Sequence, residues 1–203
     1  MLRLHLRLGL AAAALMIAVA PAAAQFSDSF NFLQAVRQRD GDKVTKALQG
    51  QRSTIVNTKD YSTGETALSI TIKGHDLTWS SFLLGRGADP NIRDARGNAP
   101  LHFAAQLGFQ EGATLLLGQG ANVNIVNNSG ESPLIVAVQQ RNIAMVRLLL
   151  ASGANPKLAD RIAGKSALDY ATEDPRGSAV LKILNESKAA VKAAPKAKSG
   201  PGL

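Results

Sequence analysis

Two histidines and one acidic cluster are the residues in this chain whose types and spacing could support chemistry. His75 and His102 follow the N-terminal segment, and an imidazole can act as a general base or a metal ligand. Asp169, Glu173 and Asp174 form the cluster, and the first two share a face if they lie on a helix. Such a pair could coordinate a cation, although a solvated helix surface is the commoner arrangement.

Other kinds of chemistry have little support in the sequence. The serines and threonines stand at predicted helix starts or turns, with no base placed beside them. The glycines fall at turn positions and form no phosphate-binding loop. The chain has no cysteine, which excludes disulfides, thiol catalysis and Cys-ligated metals. We therefore predict no catalytic residue, no metal site and no cofactor.

The strongest pattern in the sequence is a period of 33 residues. Shifting GNAPLHFAAQLG, residues 97–108, by this period aligns Gly97 with Gly64 in one direction and with Gly130 in the other. The helix starts read TALSIT, APLHFA, SPLIVA and SALDYA, and the first three units close with GAD or GAN. A fixed period in this range indicates a repeat array.

These units resemble the ankyrin repeat, which is marked by a T-P-L-H-x-A helix start and a G-A-D or G-A-N ending. The resemblance implies an all-α solenoid of about five stacked helix-turn-helix units, caps included, joined by β-turn fingers. The predicted domain is 25–185, with an N-terminal cap at 25–60, full repeats at 61–93, 94–126 and 127–159, and a C-terminal cap at 160–185.

The sequence also predicts details of individual helices. The first cap helix should start at Ser27 or Asp28, run to Arg39 and bury Phe30, Leu33, Ala35 and Val36. The last helix should span 178–185 and bury Val180, Leu181 and Leu184. Thr66, Ser132 and Ser166 are the expected N-caps, whereas Ala99 cannot supply one.

Three residues of the repeats carry more specific expectations. The resemblance implies that His102 is a structural residue whose hydrogen bonds link neighbouring turns, and that His75 is a solvated turn residue. Trp79 lies 33 residues before Gly112 on equivalent outer helices. We predict that Gly112 leaves the space that the indole of Trp79 fills.

The two ends of the chain differ from the repeats. Residues 1–24 combine Arg3, His5 and Arg7 with an apolar run and small residues, as in a signal peptide cleaved after Ala24. The run is too short for a stable membrane anchor, so we expect a periplasmic or secreted monomer. Residues 186–203 are rich in Lys, Ala and Pro, and are predicted to be disordered.

Charge bears on the class of partner. The formal charge of +8 falls when both ends are set aside, leaving 17 basic and 14 acidic residues. This excess is too mild to favour nucleic acid.

The resemblance implies that finger tips and first helices line a concave face that binds a protein partner in the same compartment, as a scaffold, inhibitor or helper. One alternative is that this face is ordinary solvated surface that binds no partner. The second is a cell-envelope adhesion module that binds through its basic tail. The predicted partner-binding residues are Ser62, Thr63, Glu65, Lys73, Arg93, Arg96, Asn98, Gln106, Leu107, Val126, Ser129, Glu131, Gln139, Gln140, Ile162 and Lys165.

Overall fold

The computed structural model describes residues 20–49 and 54–193, and the side chains of 28–49 and 54–186. Within these residues the chain is helical, with a short 3-10 helix at Thr54–Asn57 and isolated β-bridges in place of strands. The predicted all-α solenoid is confirmed. The helices are α1 (Ala20–Gln38), α2 (Gly41–Ala47), α3 (Ala67–Lys73), α4 (Leu77–Gly85), α5 (Pro100–Leu107), α6 (Gln110–Gly118), α7 (Pro133–Gln139), α8 (Ile143–Ala151), α9 (Ala167–Glu173) and α10 (Ser178–Ala193).

The helices pack in two rows. α1, α3, α5, α7 and α9 contact one another in order and form the inner row, while α4, α6, α8 and α10 form the outer row. The core lies between the rows, because leucines that recur at the repeat period are fully buried on both sides of it. On the inner row these are Leu68, Leu101 and Leu134, and on the outer row Leu83, Leu116 and Leu149.

Hydroxyl caps start three of the inner helices. The side chains of Thr66, Ser132 and Ser166 each accept a hydrogen bond from the backbone N–H three residues later, at 3.3 Å. Ala99 starts α5 with no side-chain cap, as its identity requires. The predictions about these four cap positions are confirmed.

The units are joined by four fingers, named here finger 1 (59–65), finger 2 (93–98), finger 3 (126–131) and finger 4 (159–165). Neighbouring fingers are bonded through their backbones: the N–H of Ala95 donates to the carbonyl of Thr63 at 3.0 Å, and that of Asn128 to Arg96 at 3.1 Å. Gly97 allows this approach, since its φ is +82° and a Cβ there would lie 2.5 Å from the backbone nitrogen of Asn128.

The first helix differs from its prediction. It begins at Ala20, ahead of Ser27 and Asp28, and Phe30 is 62% exposed. Leu33, Ala35 and Val36 are buried as predicted, together with Phe32. Phe32 and Val36, one turn apart, define the buried face, and Phe30 lies about 200° around the helix from Phe32. The prediction that Phe30 is buried was therefore wrong.

The last helix also differs. α10 continues to Ala193, past the predicted end at residue 185, because the Ala and Lys of this segment favour helix. The disorder predicted for 186–203 is therefore wrong as far as residue 193, and residues 194–203 lie outside the described chain. Val180 and Leu184 are buried as predicted, but Ile183 takes the buried place expected of Leu181, which is only partly buried.

The predicted fit between Trp79 and Gly112 is also corrected. A Cβ at Gly112 would overlap the ring of Phe109, whose atoms are its nearest neighbours. Phe109 precedes α6 and folds back over its first turn, so the glycine makes room for a residue of its own unit. Trp79 packs edge-on against Phe82 at 5.9 Å instead.

No described helix is both long enough and apolar enough to cross a membrane. The predicted signal peptide lies almost entirely outside the described residues and stays a prediction.

Candidate binding face

The fingers and the C-terminal ends of the inner helices form one continuous face, named here the binding face. Three polar contacts tie the helix ends to the fingers of the same unit. The amine of Lys73 donates to Glu65 at 2.5 Å, and the amide of Gln139 donates to Glu131 at 3.3 Å. In the last unit the charges are reversed, and Lys165 of finger 4 pairs with Glu173 of α9 at 2.5 Å.

All the predicted partner-binding residues lie on this face, but many are used to hold it together. Lys73 also lies over the ring of Phe103, 5.3 Å from its centroid. Arg93 donates to the carbonyl of Val126 at 3.1 Å. Internally bonded polar groups contribute little to the capture of a partner, because binding would first have to break their present contacts. The other predicted residues whose side chains are bonded internally are Ser62, Thr63, Glu65, Asn98, Glu131, Gln139 and Lys165. Ser129 is bonded through its backbone carbonyl, which accepts the N–H of Arg161.

A smaller part of the predicted set is available to a partner. Arg96, Gln106, Leu107, Gln140 and Ile162 are exposed, and their side chains have no polar partner within the described part of the chain. Leu107 is 45% exposed and Ile162 is 81% exposed, so both offer apolar surface. These five residues are named the open set.

His102 is part of the scaffold, as predicted. It is 2% exposed, its Nδ1 accepts the backbone N–H of Ala99 at 3.1 Å, and its Nε2 lies 3.0 Å from the carbonyl of Glu131 in finger 3. Because Nδ1 accepts, the proton is on Nε2 and is donated to Glu131. Burial lowers the pKa of His102 from its ordinary value. With both ring nitrogens committed to the backbone, this imidazole is not placed to act as a base.

The three residues of the acidic cluster have separate partners and do not act together. Asp169 accepts from the N–H and the hydroxyl of Ser166, which completes a capping box, and Glu173 pairs with Lys165. Asp174 accepts two bonds from Arg141, and this cation lowers the pKa of its carboxyl. Among the described residues no group of three potential ligands converges on a metal position.

Carboxylates and amides at the base of the fingers organise the backbone. Asp60 accepts from the hydroxyl of Ser62 at 2.6 Å and pairs with Arg37 at 2.7 Å; these two contacts hold the pKa of Asp60 far below its usual range. In fingers 2, 3 and 4 the equivalent side-chain oxygens belong to Asp94, Asn127 and Asp160, and each accepts two backbone N–H groups from later residues of its own finger.

Sequence reasoning missed an asparagine ladder that connects the units through the segments leading into the fingers. Asn91 donates to the carbonyl of Gly120 at 3.1 Å and accepts from the N–H of Asn122 at 2.7 Å. Asn57 and Asn124 make the same pair of contacts to the loop of the following unit. The recurrence of asparagine near the repeat period was visible in the sequence and could have revealed it.

A third series of contacts joins the turn between the two helices of one unit to the next unit. Arg39 and Arg141 lie at positive φ in these turns and pair with Asp76 and Asp174. His75 occupies the same position and stacks on Phe109 at 4.7 Å between ring centroids. It is exposed, as predicted, but it also contributes to packing between units.

The outer row has fewer features of a functional site than the binding face. A shallow groove of about 630 Å³ runs between α4 and α6, and Glu111 is the one ionisable residue in its lining. A lone carboxylate in an open groove has no partner for general acid-base catalysis. The other lining residues are Leu77, Thr78, Ser81, Gln110, Thr114 and Leu115.

Two family models match the chain. One is described as ankyrin repeats (3 copies) and matches residues 32–127, and the other is described as ankyrin repeats (many copies) and matches residues 115–171. Together they cover the stack from the first cap helix into α9.

Proposed function

Because this chain belongs to the ankyrin-repeat family, whose repeats generally act as protein–protein interaction modules, we propose that it holds a partner protein on its binding face. It would act there as a scaffold, an inhibitor or a helper, with no catalytic step of its own. The observation that carries the proposal is the open set, in which exposed polar and apolar side chains lie on a face already fixed by internal bonds. A preorganised surface loses little conformational entropy when it binds.

The absence of a catalytic role is part of the proposal. It is supported by His102, whose two ring nitrogens are bonded to backbone, and by the separate partners of the acidic residues. It also agrees with the general behaviour of the family.

We further propose that the module works outside the cytoplasm, in a periplasm or as a secreted monomer. The basic start, apolar run and small residues of 1–24 support export. Cleavage after Ala24 would leave Phe32, the first buried residue of the described core, in the mature chain. N-terminal sequencing of protein from the extracytoplasmic fraction should begin at Gln25. Uncleaved protein confined to the cytoplasm would contradict export.

The experiment for partner binding is a quantitative pull-down from an extract of the source cells, analysed by mass spectrometry. The test variant is Gln106→Glu with Leu107→Glu, at the centre of the binding face. The control is Gln110→Glu with Thr114→Glu, which makes the same change in net charge on the outer helix of the same unit. We expect a protein retained by wild type and by the control to be lost from the test variant.

Two outcomes would contradict the proposed function. One is retention of every captured protein by the test variant as fully as by wild type. The other is equal loss from the control, which would point to the outer row. Truncation after Glu186 separates this function from adhesion through the basic tail, because the binding face should keep its partner without that tail.

A further inference from the structure

The fingers carry cations that no carboxylate neutralises. Lys59, Arg93, Arg96 and Arg161 are all exposed, and none of them forms a salt bridge within the described residues. Lys59 and Arg93 donate only to backbone carbonyls of the following finger, at 2.8 and 3.1 Å. These contacts hold both side chains along the row formed by fingers 1 to 4, named here the finger row, and involve no carboxylate.

The carboxylates of the same region accept hydrogen bonds from within the protein. Asp94 accepts two backbone N–H groups of its own finger, and Asp160 is 5% exposed and accepts the hydroxyl of Tyr170 at 2.8 Å. Glu131 accepts from Asn127 and Gln139. These carboxylates are therefore held by donors of the protein, while the side chains of Arg96 and Arg161 have no polar partner among the described residues. The two guanidinium groups are thus the ones open to a charged ligand at the finger tips.

The two end fingers add apolar surface. Finger 1 and finger 4 each have one residue more between the anchoring aspartate and the glycine than the fingers between them. Tyr61 of finger 1 is 96% exposed and Ile162 of finger 4 is 81% exposed. The finger row therefore has a large exposed side chain near each end, with Arg96 and Arg161 among the exposed residues of the row.

We infer that the finger row binds an extended acidic segment of the partner protein, with apolar side chains near both ends of that segment. Carboxylates of the segment pair with the guanidinium groups of Arg96 and Arg161, which match a carboxylate in two-pronged geometry. Its apolar ends contact Tyr61 and Ile162. The inference rests on the proposed function and adds the chemical class of the partner.

The row also sets the length of the segment. Neighbouring inner helices pack at roughly 8–10 Å, so the three steps from finger 1 to finger 4 span roughly 24–30 Å. An extended chain covers about 3.3 Å per residue, which gives a segment of about eight residues. Four cations in fingers whose two end members also expose an aromatic and an aliphatic side chain suit such a peptide better than nucleic acid, which needs a larger basic surface.

The probe is a fluorescein-labelled peptide of about eight residues, with glutamates in the centre and a leucine at each end, titrated at about 20 mM salt to limit screening. Companion probes replace the glutamates by lysines or the leucines by serines. Vesicles of phosphatidylcholine with phosphatidylglycerol test an anionic lipid surface. The test variant is Arg96→Glu with Arg161→Glu, and the control is Lys46→Glu with Arg147→Glu, two exposed cations of α2 and α8.

We expect wild type and the control to bind the acidic peptide, the test variant to bind it about tenfold or more weakly, and the lysine peptide not to bind. The serine-ended peptide should bind more weakly than the leucine-ended one. Circular dichroism should show the same helix content in both variants, since all four residues are exposed. Any change in affinity can then be attributed to the substituted surface side chains and not to a loss of folded structure.

The inference is overturned if wild type does not bind the acidic peptide, if both variants lose it equally, or if the vesicles bind and the peptide does not. The pull-down separates this failure from failure of the proposed function. One result would support the binding face and reject only the acidic segment. In that result the Gln106→Glu, Leu107→Glu variant loses the partner, whereas the Arg96→Glu, Arg161→Glu variant keeps it.

Discussion

His102 shows how a residue suited to catalysis becomes part of a scaffold. Its ring takes the role that Asp169 plays at α9, because Nδ1 accepts the backbone N–H of the cap residue Ala99 as the Asp169 carboxylate accepts that of Ser166. Ala99 has no side-chain oxygen to cap α5 itself. The other nitrogen reaches the next finger at Glu131. One imidazole thus closes a helix start and joins two units.

The burial of His102 leads to a pH dependence of stability. Its folded-state pKa is lowered, so on acidification the unfolded chain takes up this proton first. The stability contributed by the neutral ring is therefore present above about pH 6.5 and is lost progressively below it. Protonation would also remove the acceptor for the Ala99 N–H.

We predict that the free energy of unfolding, measured in urea, falls less between about pH 7.5 and pH 5 in His102→Gln than in wild type. Gln140→Ala changes an exposed residue that does not titrate and should keep the wild-type slope. A His102→Gln variant with the full wild-type slope would refute the assignment.

Gly112 gives a second prediction at the residue scale. Gly112→Leu should destabilise the fold by about 1–3 kcal/mol, the usual cost of overpacking, because the new side chain meets the ring of Phe109. A double-mutant cycle in chemical denaturation should show coupling of Gly112→Leu with Phe109→Ala. The same cycle with Trp79→Ala should be additive, and coupling to Trp79 alone would restore the original sequence-based interpretation.

At the scale of the elements, the solenoid is held by contacts that recur from unit to unit. The backbone bonds between fingers, the asparagine ladder and the contacts of the inter-helix turns each link a unit to the next. These links lie at different places around the stack, so neighbouring units are fixed in orientation as well as in distance.

The asparagine ladder can be tested at its central member. Asn91→Ala removes two hydrogen bonds and should lower the free energy of unfolding by about 1–3 kcal/mol. Gln119→Ala, an exposed position at the end of α6, is the matched control and should change it by less than about 0.5 kcal/mol. Equal effects of the two substitutions would show that the ladder is not a stabilising element.

The repeat period predicted the helices, the caps and the buried leucines, because these depend on local residue types in a fixed register. It predicted the wrong neighbour for Gly112, since equivalent positions in two units need not touch. The repeat period also gave no basis for deciding which positions of the binding face contact a partner. Which side chains are free depends on contacts across units, such as Arg93 with Val126, and a periodic pattern does not specify these.

At the scale of the whole molecule, the described residues form a stack with one face fixed by internal bonds, and we propose that this face holds the partner. Most polar side chains of that face are bonded internally, which leaves Gln106 and Leu107 near its centre and Arg96 on the adjacent finger. The outer row carries a shallow groove with a lone carboxylate. Function should therefore follow substitutions on the binding face and tolerate those on exposed outer positions.

Site-specific photo-crosslinking in the source cells tests this central claim most directly. A photoreactive phenylalanine analogue is placed at Leu107 on the binding face, and separately at Thr114, which is exposed on the outer helix of the same unit. The account predicts a discrete protein adduct from position 107 and none from position 114. An adduct from position 114 alone, or no adduct from position 107, would contradict it.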